Sequence, residues 1–257
     1  MPSSNPDIKK DFERSFYFLL REEITLRNFL YDVFTCGTAY IVGGYIRDFL
    51  NGNKSRDIDI IVDIHQHELL NIVQALNCKY ELNRHGGIKL KLDFLDVDVW
   101  NLENNWAIKN NLVHLNEQDL LNSIAKGCFY NYDSLVINVN NFSYNIRYYQ
   151  DFLNTRRLDI LQKSPAYKNL NPTVEANVIR ALFLHANFNC TFSDNTNYYL
   201  MQRLAILKKE YGNELEPLLA VKSKYSKYDS LSSEALASII AKLRNGDLSD
   251  NQILMDI

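Results

Sequence analysis

The stretch from Ala39 to Asp63, AYIVGGYIRDFLNGNKSRDIDIIVD, constrains the fold more than any other part of this chain. An apolar run ends in two glycines, a short segment carries Arg47 and Asp48, a polar loop follows, and a second apolar run opens with Asp57-Ile58-Asp59. That order predicts a strand, a tight turn, one short helix, a loop and a second strand. Side chains alternate along a strand, so Asp57 and Asp59 share one face while Ile58 and Ile60 point into the core. Two carboxylates side by side repel unless something positive lies between them.

A magnesium ion meets that need, because it is a hard cation that takes one or two carboxylates and leaves its other positions to water and substrate phosphates. Upstream, Gly43 and Gly44 allow backbone to approach a ligand closely, and the first turn of the helix that follows presents N–H groups to an anion. The expected ligand is a triphosphate.

Taken together, GGxxRD, Gly52 and the following DxD resemble the head-domain signature of the class II CCA-adding enzyme and bacterial poly(A) polymerase family, within the polymerase beta-like nucleotidyltransferases. The spacing of Gly44, Arg47 and Asp57 is similar to that family's. The resemblance implies magnesium-dependent transfer of NMP from an NTP, ATP or CTP, to an acceptor hydroxyl with release of pyrophosphate. It implies an RNA 3′ end, such as that of tRNA, as the acceptor. Asp57 and Asp59 would be catalytic and hold the metal; Gly43, Gly44 and Arg47 would bind the nucleotide, with Asp48 bracing Arg47 or the loop.

A third acid is expected downstream. The segment HGGIKLKLDFLDVDVW alternates from Ile88 onward and predicts a hairpin that turns near Asp93-Phe94, with Asp96, Asp98 and Trp100 on one face of its second strand. Two metal ions need three flanking acids, one ion activating the attacking hydroxyl and the other neutralising the triphosphate. The resemblance places the third acid at Asp98, a catalytic and metal-holding position, with Asp96 in reserve. His85-Gly86-Gly87 reads as a turn beside the site. His65 and His67 have no third partner and read as solvated.

Further along, SIAKGCFYNYDSL corresponds to the segment where relatives carry an arginine pair that reads the base. Phe129 and Asn131 match, whereas Lys126 and Gly127 stand for the arginines. Lys126 is the nucleotide-binding candidate, although lysine lacks arginine's planar fork of donors. Base choice stays open. Asn171-Pro172 opens a predicted helix whose Arg180 resembles a nucleotide-reaching arginine and reads equally as a surface residue of a packing helix.

The change from alternating to helical patterning places a boundary near residue 145. An α+β class follows: a small mixed-sheet nucleotidyltransferase head domain with flanking helices over 1–145, then a mainly helical region over 146–257. Net charge is −3 and pI about 6.0, so no global basic field advertises nucleic acid. RNA contacts would be local, as where Lys222, Lys224 and Lys227 alternate with Tyr225 and Tyr228, a mix that suits single-stranded RNA or a solvated loop. Cysteines 36, 78, 128 and 190 form no CxxC, which suits a reducing cytoplasm. With no apolar leader and no membrane-length apolar run, a cytoplasmic protein without membrane partners is expected.

CCA-adding relatives continue into segments that grip the tRNA elbow, and this chain is expected to end before them. Transfer to a protein or small molecule is one alternative; a catalytically silent nucleotide- or RNA-binding regulator is another. Aspartate at all three acid positions favours an enzyme.

Overall fold

The computed structural model describes residues 7–83, 86–162 and 173–248. The chain divides into two units. The first runs to Phe129 and resumes over Asp133–Tyr149; the second holds Tyr130–Tyr132 and the residues from Gln150 onward.

The first unit opens with two helices, α1 (Ile8–Glu22) and α2 (Ile24–Cys36). Apolar side chains at helical spacing explain both: Phe12 and Phe16 are buried on α1, and Leu26, Phe29, Leu30 and Val33 on α2. Then follow β1 (Thr38–Val42), α3 (Gly44–Leu50), β2 (Asp57–Asp63), α4 (Gln66–Ala75), β3 (Lys79–Leu82), β4 (Ile88–Lys91) and β5 (Asp96–Asn101). The short α5 (Trp106–Lys109), α6 (Leu120–Gly127), β6 (Val136–Asn138), β7 (Tyr144–Asn145) and α7 (Arg147–Thr155) complete the series, α7 crossing into the second unit.

Seven strands form one mixed sheet in the order β3-β4-β5-β2-β1-β6-β7. Among its neighbours only β2 and β5 run parallel. The expected alternation along β2 is visible in its burial: Ile58, Ile60 and Val62 are fully buried, whereas Asp57 is exposed and Asp59 half-buried. On the aspartate face, Ile61, Tyr40, Leu102 and Val136 join Ile124 and Ala125 of α6 in a core cluster. That cluster covers one end of the face and leaves the acidic end to Asp57, Asp59, Asp96 and Asp98.

Two contacts carry the strand ends that matter. The ring of Phe12 on α1 meets those of Phe49 and Tyr45 on α3 edge-on at 5.1 and 6.0 Å, which braces the short helix against α1. Glu23, 2% exposed between α1 and α2, accepts the backbone N–H of Phe94 at 2.7 Å and so pins the turn between β4 and β5.

The second unit contains β8 (Arg157–Leu158), α8 (Val174–Phe188), β9 (Thr191–Phe192), α9 (Asp194–Tyr211), α10 (Leu215–Lys222) and α11 (Ser233–Asn245), with β8 and β9 paired in parallel. Asn171-Pro172 lie outside the described residues; α8 is capped by Thr173, whose Oγ1 accepts from the Ala176 N–H. Ser193 caps α9 in the same way, as its sequence predicts. The lysine–tyrosine run is a loop with one buried ring. Tyr228 is 3% exposed and packs on Phe183, with Lys227 over the Tyr225 and Tyr228 rings. Tyr228 helps close a corner of the unit, while Lys224, Tyr225 and Lys227 are exposed, as the solvated-loop reading expects. No described helix is long and apolar enough to cross a membrane.

Candidate active site

Parallel pairing of β2 with β5 sets Asp57 opposite Asp96 and Asp59 opposite Asp98. Antiparallel pairing on the far side of β5 then sets Lys89 opposite Asp98 and Lys91 opposite Asp96. Because the register fixes these partners, four carboxylates and two ammonium groups line one patch of the sheet. Asp59 also pairs with Val42, the last residue of β1, and this brings the glycine turn beside it. Gly43 has φ +71° and ψ −122°, a backbone region essentially reserved for glycine, and its N–H donates to Leu135 at 2.9 Å. Gly44 starts α3 in ordinary helical geometry.

The electrostatics single out Asp59. Burial, then the charges of Asp98 and Asp57, push its carboxyl up to about 7, against the partial relief of Lys89 and with Asp133 adding to the rise. Asp96 moves the other way. Its hydrogen bond from Lys91 at 2.8 Å, aided by the charge of Lys89, holds it below the usual carboxylate range against some burial. Lys89 donates to Asp98 Oδ2 at 2.6 Å and lies 3.7 Å from Asp96 Oδ2; burial would lower its pKa, but this bond and the surrounding acids leave it raised.

Arg47 projects from α3 and is 16% exposed. Its Nη1 binds Asp133 at 2.8 Å, and its Nη2 is 3.8 Å from Asp48. Asp48 was expected as the brace; Asp133 is the tighter one. Nothing in the local sequence pattern marks Asp133, which stands two residues after Asn131 in SIAKGCFYNYDSL. Asn131 itself belongs to the second unit and exchanges hydrogen bonds with Arg157 and Asp159 there. Lys126 is exposed in the last turn of α6, and Arg180 is half-buried on α8 of the second unit. The structure thus gathers Gly43, Gly44, Arg47, Asp48, Asp57, Asp59 and Asp98 at one end of the first unit. His85 lies outside the described residues; Gly87 packs against Trp100, leaving no room for a Cβ. His65 and His67 stack on each other at 5.7 Å, and Glu68 accepts the His65 backbone N–H, so they serve the start of α4.

Among the described residues, no three of His, Cys, Asp or Glu are gathered closely enough to hold a metal ion between them. Instead, Asp98 and Asp96 are drawn toward Lys89 and Lys91. The donor set nevertheless suits a hard divalent cation: every donor is a carboxylate oxygen, and burial with the charges of Asp98 and Asp57 outweighs Lys89 and keeps a proton on Asp59 to about neutrality.

Residues 39–118 match the family model described as the poly A polymerase head domain. The matched stretch lies within the first unit. No protein of curated function matches the sequence. Among solved structures, a tRNA nucleotidyltransferase complexed with a primer tRNA and an incoming ATP analog aligns with TM-score 0.55 at 19% identity, covering 82% of this chain and 59% of that one. A tRNA-processing enzyme in an apo form aligns with TM-score 0.55 at 17% identity, over 95% of this chain and 59% of that one. A CCA-adding enzyme with CTP aligns with TM-score 0.53 at 19% identity, over 80% and 49%. These likenesses are of fold, and the chain spans 49–59% of the length of these three structures. The mixed sheet with flanking helices and a helical continuation is therefore the α+β fold expected from the sequence.

Proposed function

We propose that the protein is a magnesium-dependent nucleotidyltransferase that moves NMP from ATP or CTP to the 3′ hydroxyl of an RNA, tRNA foremost, releasing pyrophosphate. The observation that carries this reading is the placement of Asp59 beside Asp98 on parallel strands, next to the Gly43 turn, with its carboxyl raised by burial and by the neighbouring acids. Asp57, Asp59 and Asp98 are the residues to hold magnesium. When bound, that ion neutralises the triphosphate and raises the acidity of the acceptor hydroxyl. Arg47, held by Asp133 and Asp48, is the proposed cation for the triphosphate. Gly43 lets the turn pass close to the phosphates without a side chain in the way.

The tRNA-directed part of the proposal is supported by structural neighbours that are complexes with CTP, or with a primer tRNA and an ATP analog. Lys126 and Arg180 are proposed as further nucleotide contacts. The test is to incubate the protein and magnesium with each NTP labelled at the α-phosphate, together with RNA, protein and small-molecule fractions of a cell extract. Label from ATP or CTP is expected at RNA 3′ ends. Label confined to protein or to small molecules would replace the RNA acceptor with that class.

A further inference from the structure

Lys89 holds Asp98 by a charge-assisted bond at 2.6 Å, on the same oxygen-rich patch to which magnesium is assigned. Its ammonium has a second acid within reach, since Asp96 Oδ2 is only 3.7 Å away, and Asp96 already receives Lys91 at 2.8 Å. Lys89 is 29% exposed on a strand whose register with β5 is fixed, so its head group can move between these two acids without any backbone change. An ammonium and a divalent cation cannot both take the same Asp98 oxygen.

We infer that Lys89 is a displaceable internal cation: it occupies Asp98 until a divalent ion binds, then transfers to Asp96, and through this exchange it sets the site's affinity for metal. The inference rests on the assignment of Asp98 to the metal. Lys89 is accordingly a positioning residue, and Asp96 is the acid that receives it. The arrangement gives Asp96, otherwise a spare carboxylate, a definite task. It also divides the two lysines, because Lys91 bonds only Asp96 among these acids and should compete with metal far less.

Binding of Mn2+ to the nucleotide-free protein, followed by the loss of the free-ion electron paramagnetic resonance signal at constant pH, tests this without reference to turnover. Lys89→Met should tighten Mn2+ about tenfold or more, Lys91→Met less than about threefold, and Lys89→Arg, which keeps the charge, should stay near wild type. Asp96→Asn should weaken binding in the wild-type background and have a clearly smaller effect alongside Lys89→Met, since there is then no ammonium to receive. Equal shifts from Lys89→Met and Lys91→Met would overturn the inference, as would an Asp96→Asn effect of the same size in both backgrounds. Adding Asp59→Asn to Lys89→Met should abolish binding. If Mn2+ binds undiminished, the ion lies elsewhere and the metal assignment itself falls; if binding is lost but Lys89→Met behaves as wild type, only the exchange falls.

Discussion

At the scale of single residues, Asp59 sets the behaviour of the cation-free protein. Its carboxyl is raised from 3.8 to about 7, so the folded state binds the proton more tightly than the unfolded chain does. This contribution to stability is therefore fully present below about pH 4, declines as pH rises to about 7, and is absent above. In a chelator at pH 8, Asp59→Asn should melt several degrees above wild type, whereas saturating magnesium should reverse the order because only the wild type gains the ion. Thermal melts at pH 5 and pH 8, with and without magnesium, check both signs. Arg47 offers a second test. Arg47→Lys keeps the charge but loses the planar fork that binds Asp133, and on the proposed nucleotide role should raise KM for NTP about tenfold with a smaller effect on kcat. The paired aspartates and Arg47 were legible in the sequence because they fall within a local pattern of fixed period. Asp133 and Lys89 were not, because each depends on which strands pair and in which register. A reading of local alternation marks a lysine on a strand without saying which acid faces it.

At the scale of elements, the turn at Gly43 and the β4–β5 hairpin decide where the acids lie. A side chain at Gly43 would force φ +71° and ψ −122° on an L-residue, so Gly43→Ala should cost about 1–3 kcal/mol in denaturant unfolding. It should also impair NTP use more than that loss explains. Glu23 works at a distance: Glu23→Ala removes the acceptor of the Phe94 N–H and should cost about 0.5–1.5 kcal/mol while loosening the turn that leads into Asp96. Urea titration of each variant measures these losses. Most elements could be predicted because their punctuation is strong, as with Ser193 at the start of α9. The buried Glu23 lay hidden in a helical pattern, since nothing in spacing shows that a charged residue between two helices will reach a turn 71 positions further on.

At the scale of the whole molecule, two units with different interiors share one chain: a mixed sheet with helices, and a helical unit with a single pair of short strands. The cysteines report on both. Cys36 is exposed on α2, whereas Cys190 is fully buried in the second unit, where burial pushes its thiol up to about 12. Native thiol labelling should modify Cys36 rapidly and spare Cys190 until that unit opens. The sequence conveyed the α+β class through its switch from alternation to helical spacing. At the lysine–tyrosine run it did not show that Tyr228 turns inward, because an aromatic ring gains more from packing on Phe183 than from solvent. The most direct test of the central claim is pyrophosphate release from each of the four NTPs with magnesium and a mixed RNA pool. Wild type should release it from ATP or CTP, and Asp59→Ala should lose about 10³-fold or more of that rate. No release from any NTP, or equal release by the variant, would contradict it.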